Sequence, residues 1–261
     1  MKKAALKTSK VTGRHFLRLL QRHKIGLLGK YFFHCTAILE KYRFLRCLLS
    51  NNLTKHGVHL NTVPTRMDYR AAKQFILTKL RAELSDKLYY HGLHHTLDVL
   101  RMATEICDGE GVNGRDLILV KTAALFHDAG FVKDKHAGHE HEGCLIVRHA
   151  LPGFGYAARD IETICGMIMA TKIPQSPNNL LEEIICDADL DYLGRNDFYT
   201  IGDSLFEELK AYHIIHDEQQ WNRLQVSFLT AHKFHTRTNK SLREPVKQQY
   251  LEELKGLVAT Y

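Results

Sequence analysis

The stretch Ala123-Ala124-Leu125-Phe126-His127-Asp128-Ala129-Gly130-Phe131 constrains this chain more than any other. An apolar run of this kind belongs in an interior, yet it ends in an imidazole followed at once by a carboxylate. A buried acid is costly unless it is paired, hydrogen-bonded or bound to a metal. Any fold that forms must therefore bring compensating groups to His127 and Asp128. Imidazole and carboxylate together suit a divalent first-row metal. With 17 histidines in the chain a His-Asp dipeptide is weak by itself, so its company matters. Upstream lies Tyr90-His91-Gly92-Leu93-His94-His95, and downstream lies Cys186-Asp187-Ala188-Asp189-Leu190-Asp191-Tyr192-Leu193-Gly194.

The periodicity around these stretches is helical throughout. Asp68 is an N-cap candidate for a helix carrying Ala72, Phe75, Ile76 and Leu80 and ending near Leu84 to Asp86. A second helix carries Leu93 to Cys107, and glycines mark residues 108–114 as a loop. A third runs from about Arg115 to Phe126 and delivers His127-Asp128 at its end. Lys133 to Glu142 reads as a polar loop before a helix over Gly143 to Ala150, and Leu151 to Gly155 reads as a turn. Another helix spans about Arg159 to Thr171. After Pro174 and Pro177, Ser176 and Asn178 precede a helix through Leu181, Ile184 and Ile185. The tail from Ser204 to Lys255 reads as helical with one break near Thr236 to Ser241. No segment alternates as a strand would. The fold class is all-α, a single bundle over residues 67–261 with a basic, partly helical extension over residues 1–66.

Charge separates those two parts. The net charge is +7, but residues 1–66 hold fourteen Lys/Arg against Glu40 alone, so residues 67–261 sum to −6. Any polyanion or membrane surface would have to be met by the extension, whose Arg-rich, acid-poor composition is also that of an organellar transit peptide. An acidic main domain argues against nucleic acid as a substrate. The most apolar part of the extension, Gly26 to Leu39, is interrupted by Lys30 and His34 and is too short to span a membrane. Thr62-Val63-Pro64-Thr65 reads as a linker. Six scattered cysteines with no CxxC pair point to reduced thiols and a cytoplasmic protein, without a disulfide framework.

Spacing then sharpens the chemistry. His91 and His95 are one helical turn apart and share a face, so either could ligate a metal while the other handles protons. On a helix Asp187 and Asp191 share a face while Asp189 points roughly 200° away, so the three cannot all face one ion. His95, His127, Asp128 and one Asp of the triplet make a mixed N/O site with room for water and substrate. Such a site suits metal-assisted hydrolysis.

The ordered set His95, His127-Asp128, Asp189 resembles the HD superfamily of metal-dependent phosphohydrolases, over about residues 67–261. The Tyr-His-x-x-x-His arrangement at 90–95 is similar to the cyclic nucleotide phosphodiesterase branch. Leu190 to Arg195 and Phe228-Leu229-x-x-His232 resemble a small bacterial HD subgroup of undefined substrate. The resemblance implies that His95, His127, Asp128 and Asp189 are metal ligands and that His91 is the general acid, with Asp128 also catalytic. It places Asp187 and Asp191 behind the site or at the surface. His139 resembles the first of two extra histidines found in dinuclear members, but Thr171 stands where the second would be. One tightly bound divalent ion (Mn, Fe, Zn, Co, Ni or Mg) is therefore expected, acting on a nucleotide or other small phosphorylated metabolite. Candidate phosphate contacts are Lys172, Arg195, His232 and Arg243, with Lys133 and Arg237 behind them; Trp221 and Phe228 are candidates to stack on a base. Two other functions fit parts of the pattern. One is a di-iron oxygenase on the same scaffold, which would need two irons. The other is a non-catalytic nucleotide sensor or nucleic-acid-binding protein that uses residues 1–66.

Overall fold

The computed structural model describes residues 66–133 and 137–261, which belong to one packed unit, Val63–Tyr261. The expectations for residues 1–65 lie outside the described residues. Among the described residues there are helices and short 3-10 turns and no strand, as the periodicity requires.

Helix α1 (Tyr69–Glu83) begins where Asp68 Oδ1 accepts the N–H of Ala71 at 2.9 Å, and its buried residues Ala72, Ile76 and Leu80 recur every four. Helix α2 (Leu93–Gly109) buries a stripe from His95 through Val99, Met102 and Ile106. Helix α3 (Gly114–Phe126) is enclosed along its C-terminal half. Leu119, Val120 and every residue from Thr122 to Phe126 are buried, because α1, α2, α5 (Ala158–Ala170) and α6 (Leu180–Asp189) all pack on it. Each large apolar side chain so buried contributes about 1.5–3 kcal/mol, and this central position holds His127-Asp128 in place. A 3-10 turn, Ala129–Lys133, follows directly. A Cβ on Gly130 would overlap the carbonyl of His139, so only glycine lets this turn meet the next helix so closely.

That next helix, α4 (His139–Ala150), starts four residues before the expected position. The His-rich segment is polar but contains no helix breaker, and Glu140 and Glu142 fall in the first turn, where carboxylates favour a helix start. Polarity alone made it read as a loop. Helix α6 is capped by Asn179, whose Oδ1 accepts the N–H groups of Leu181 and Glu182, and not by Ser176 or Asn178. The tail also differs from expectation. Helix α7 (Phe198–Ala211), α8 (Glu218–Ala231), α9 (Arg237–Leu242) and α10 (Glu244–Val258) are separated at residues 212–217, at 232–236 and at Arg243. Asp217 and Thr236 side chains accept N–H groups from Gln220 and Asn239, so the first two breaks are the capped starts of new helices.

Two apolar clusters result. One lies inside α1–α6, around Ile76, Val99, Val120, Phe126 and Ile164. The other joins Tyr90, Leu193 and Phe198 to Leu229, Phe234 and Leu251 of the tail. Asp187 and Asp191 tie the tail to the first part. Asp187 accepts the N–H of His235 and both the N–H and hydroxyl of Thr236, at 2.6–2.8 Å. Asp191, in the 3-10 turn Asp191–Gly194, accepts from Asn239 Nδ2 at 3.0 Å and Arg243 Nε at 2.9 Å. Both acids are buried, and neither is a surface group.

Candidate metal centre

His95 enters the centre from the first turn of α2, His127 and Asp128 follow the last turn of α3, and Asp189 is the last residue of α6. Helix ends suit this task, since the chain can still turn there after the packed face has been set. His127 Nδ1 donates to the carbonyl of Ala124 at 2.9 Å, which fixes the tautomer and leaves Nε2 facing the centre. His95 Nε2 lies 3.1 Å from Asp189 Oδ1, His127 Nε2 lies 3.4 Å from the same oxygen, and the two ring nitrogens are 3.4 Å apart. Asp128 Oδ2 closes the group at 3.2 Å from His127 Nε2 and 3.5 Å from His95 Nε2.

The ring nitrogens of His95 and His127 and the Asp189 oxygen are spaced as the donors of one metal ion would be, with Asp128 Oδ2 beside the two rings. Ligand atoms about 2.0–2.2 Å from one ion, at tetrahedral or octahedral angles, lie roughly 2.8–3.6 Å apart. Asp128 Oδ2 is also fully shielded from solvent and makes no hydrogen bond of normal geometry, although two ring nitrogens adjoin it. Two imidazoles and two carboxylates form a donor set for a divalent first-row ion. The charges agree. Burial opposes ionisation of Asp128 and Asp189, but the surrounding histidines outweigh it and hold both carboxyls well below the usual carboxylate range. Burial likewise disfavours a charged His127, and Asp128 and Asp189 reverse that.

His91 is placed beside this centre by a residue that sequence reasoning missed. Glu208, on α7, is buried; its Oε2 accepts the N–H groups of Tyr90 and His91 at 2.8 and 3.0 Å, and its Oε1 accepts from His91 Nδ1. Burial acts to lower the pKa of His91, and the Glu208 contact, with Asp128 behind it, raises it overall. No local motif marks Glu208, which lies 117 residues from its partner. The only signal was an acid inside the apolar stripe of a helix. His91, Phe131 and His139 form a ring stack with centroids 4.3 and 4.2 Å apart. His139 Nε2 lies 3.5 Å from Asp128 Oδ1, the carboxylate oxygen turned away from His127. Thr171 Oγ1 donates to the carbonyl of Ile168 at 2.8 Å, so this hydroxyl serves its own helix.

A cavity of about 210 Å³ opens from Asp128, Asp189, His91 and His139. None of the four candidate phosphate contacts lines it. Arg195 is buried and pairs with Asp98 and Asp197 at 2.9 Å, and Arg243 pairs with Asp191. Lys172 is exposed. His232 lines a separate cavity beside Pro174 and Gln175; burial and the Lys247 ammonium push its imidazole down to about 3, so it is neutral. Trp221 and Phe228 do line the cavity at the metal centre.

Residues 92–191 match the HD domain family. Over that span the chain is similar to the HD family. The matched span starts at Gly92 and ends at Asp191, so it encloses all four converging side chains and leaves α7–α10 outside. HD domains bind divalent metals, and the cluster of His95, His127 and Asp189 could hold one. A crystal structure of a predicted HD superfamily hydrolase from an uncultured Thermotogales bacterium is similar at 22% identity, covering 72% of this chain and 91% of that one, with a TM-score of 0.48. No curated protein matches the chain. No described helix is long and apolar enough to cross a membrane.

Proposed function

We propose that this protein is a metal-dependent phosphohydrolase that cleaves a phosphoester bond of a nucleotide or another small phosphorylated metabolite. The observation that carries the reading is the convergence of four ligand atoms at 3.1–3.5 Å beside a cavity edged by a Glu208-bound histidine. Residues 67–261 form the hydrolase domain in this reading, and residues 1–66 are an appended basic segment. The buried thiols Cys107, Cys144, Cys165 and Cys186 support a reducing, cytoplasmic setting.

His95, His127, Asp128 and Asp189 would hold one divalent ion. Such an ion supplies a water made acidic near neutral pH and a Lewis acid for a phosphoryl oxygen. The protein's own groups do the rest. Glu208 binds His91 at Nδ1 and stabilises its charged form, so that Nε2 holds the proton that the leaving oxygen takes. Phe131, stacked on the ring, fixes its plane. Asp128 places one oxygen toward His127 and the other toward His139, which keeps its carboxylate from rotating. The walls exclude bulk water and so strengthen each of these interactions.

The test is direct. The full chain is purified without chelator, and its metal content is measured beside phosphate release from a panel of nucleotides, phosphomonoesters and phosphodiesters. Stoichiometric metal and release that vanishes in Asp128→Ala support the reading. A metal-free, inactive protein whose Asp128→Ala form is equally stable overturns it.

A further inference from the structure

The cavity beside the metal centre has two chemically different ends. Its polar groups are gathered where Asp128, Asp189, Glu140, His91 and His139 lie. The rest of the wall is mostly apolar, built from Leu190 and Leu193 after α6, Phe198 and Leu209 on α7, and Trp221 and Phe228 on α8, with Tyr90, Thr171, Tyr192 and Gln225 as its other polar-bearing residues. Among the described residues no lysine or arginine lines it. Beyond the reacting phosphoryl group and the His91 end, further phosphates would meet carboxylates and hydrocarbon, with no guanidinium or ammonium to replace lost water. A polar sugar would fare little better: Thr171 Oγ1 donates to its own helix at the carbonyl of Ile168, and Nε2 of Gln225, the one side-chain amide on the wall, donates to Asn222 Oδ1 at 3.2 Å. An enclosed cavity of about 150 Å³ takes benzene, so about 210 Å³ gives room for a substituted ring or a short alkyl chain against this wall.

We propose that the organic half of the substrate is an uncharged apolar group, aryl or alkyl, seated against α7 and α8 while its single phosphoryl group faces the metal centre. This rests on the hydrolase reading and narrows it from nucleotides to lipophilic phosphoesters. The bond broken is the phosphorus–oxygen bond to that group; water supplies the new oxygen, and the departing oxygen takes a proton, so an apolar alcohol or phenol leaves with phosphate. The reaction class that supplies the substrate is phosphorylation of such an alcohol or phenol.

Trp221 is the only tryptophan in the chain and lines the cavity, so its fluorescence reports occupancy. The full chain, with its metal, is titrated with linear alkylphosphonates from methyl to hexyl, which cannot be hydrolysed, and with the matching alcohols; calorimetry supplies a second readout. Affinity should rise roughly fourfold per methylene until the cavity is full. Leu224 lines the same wall yet is 43% exposed, so Leu224→Asp should fold normally. It should weaken hexylphosphonate at least tenfold while leaving methylphosphonate unchanged. Equal affinity from methyl to hexyl, no binding by either readout, or tighter binding of a nucleoside triphosphate than of hexylphosphonate overturns the proposal. Failure of the hydrolase reading looks different: chain-length dependence persists for the alcohols, the phosphonate group adds nothing, and no ester in the panel releases phosphate.

Discussion

Helices α2, α3 and α6 and helices α7 and α8 meet around the same site, but they build their halves by different means. The first group brings His95, His127, Asp128 and Asp189 together at the ends of helices buried in a dense apolar core, His127 and Asp128 as chain neighbours and His95 and Asp189 from distant positions. The second group holds Glu208 and the apolar wall, and α9 with its flanking residues supplies the partners of Asp187 and Asp191, all through contacts between residues far apart in the chain. Each residue of the first half is therefore marked by its own short stretch of sequence, whereas the second half exists only once the tail has docked. Under the proposed function, the metal-binding residues lie in the first half and the selective wall in the second.

The comparison is broken most completely at Asp128. Asp128→Ala should reduce bound metal from about one per chain to near zero and slow phosphate release on the order of a thousandfold. Metal analysis beside a phosphate assay checks this. Unchanged metal content would mean that His95, His127 and Asp189 suffice without it.

A change at the docked end should separate rate from metal. Glu208→Gln should keep the metal and lower kcat roughly 10- to 100-fold, as expected for a group that orients and charges a catalytic histidine. The pH profile carries the sign. A general acid works while protonated, so activity falls as pH rises through the pKa of His91, which Glu208 raises against burial. Removing that carboxylate should move the alkaline limb to lower pH. A limb that stays in place while kcat falls would assign the proton to another group.

Asp187→Ala sharpens the contrast between neighbours two residues apart. It leaves two N–H groups and a hydroxyl of His235 and Thr236 without their acceptor, so stability should fall by about 3 kcal/mol. That corresponds to roughly 6–12 °C in Tm, read by thermal melts. Metal affinity should survive, in contrast to Asp189→Ala. The smallest effect is expected at Lys172, which is exposed and stands off the cavity wall. Lys172→Ala should change stability by less than about 0.5 kcal/mol and kcat/KM by less than about twofold. A tenfold rise in KM would return Lys172 to the substrate site.

Much of this was legible in the chain itself. Helical periodicity yields an all-α fold because the 3.6-residue repeat of Ala72, Ile76 and Leu80, or of Val99, Met102 and Ile106, is a local property. His95, His127, Asp128 and the Asp187–Asp191 triplet stand out because ionisable groups interrupt otherwise apolar segments; the resemblance to the HD superfamily points to Asp189 within the triplet, and the fold places it with the other three. The charged residues misled. Arg195 and Arg243 face inward to neutralise Asp98, Asp197 and Asp191, and a side chain's ion-pair partner is not visible in its own neighbourhood. Residues 139–142 misled in the same way, because polarity was taken for a loop where buried Glu140 begins a helix.

The sequence by itself determined the helices, the burial of the His-Asp pair and the set of metal-binding candidates, since each follows from residue type and short-range spacing. Only the tertiary structure decided that Glu208 serves His91, that Asp187 and Asp191 anchor the tail, and that the cavity wall is apolar. Those facts depend on which distant helices dock together. Docking is set by the summed complementarity of whole faces, which no single stretch of sequence contains.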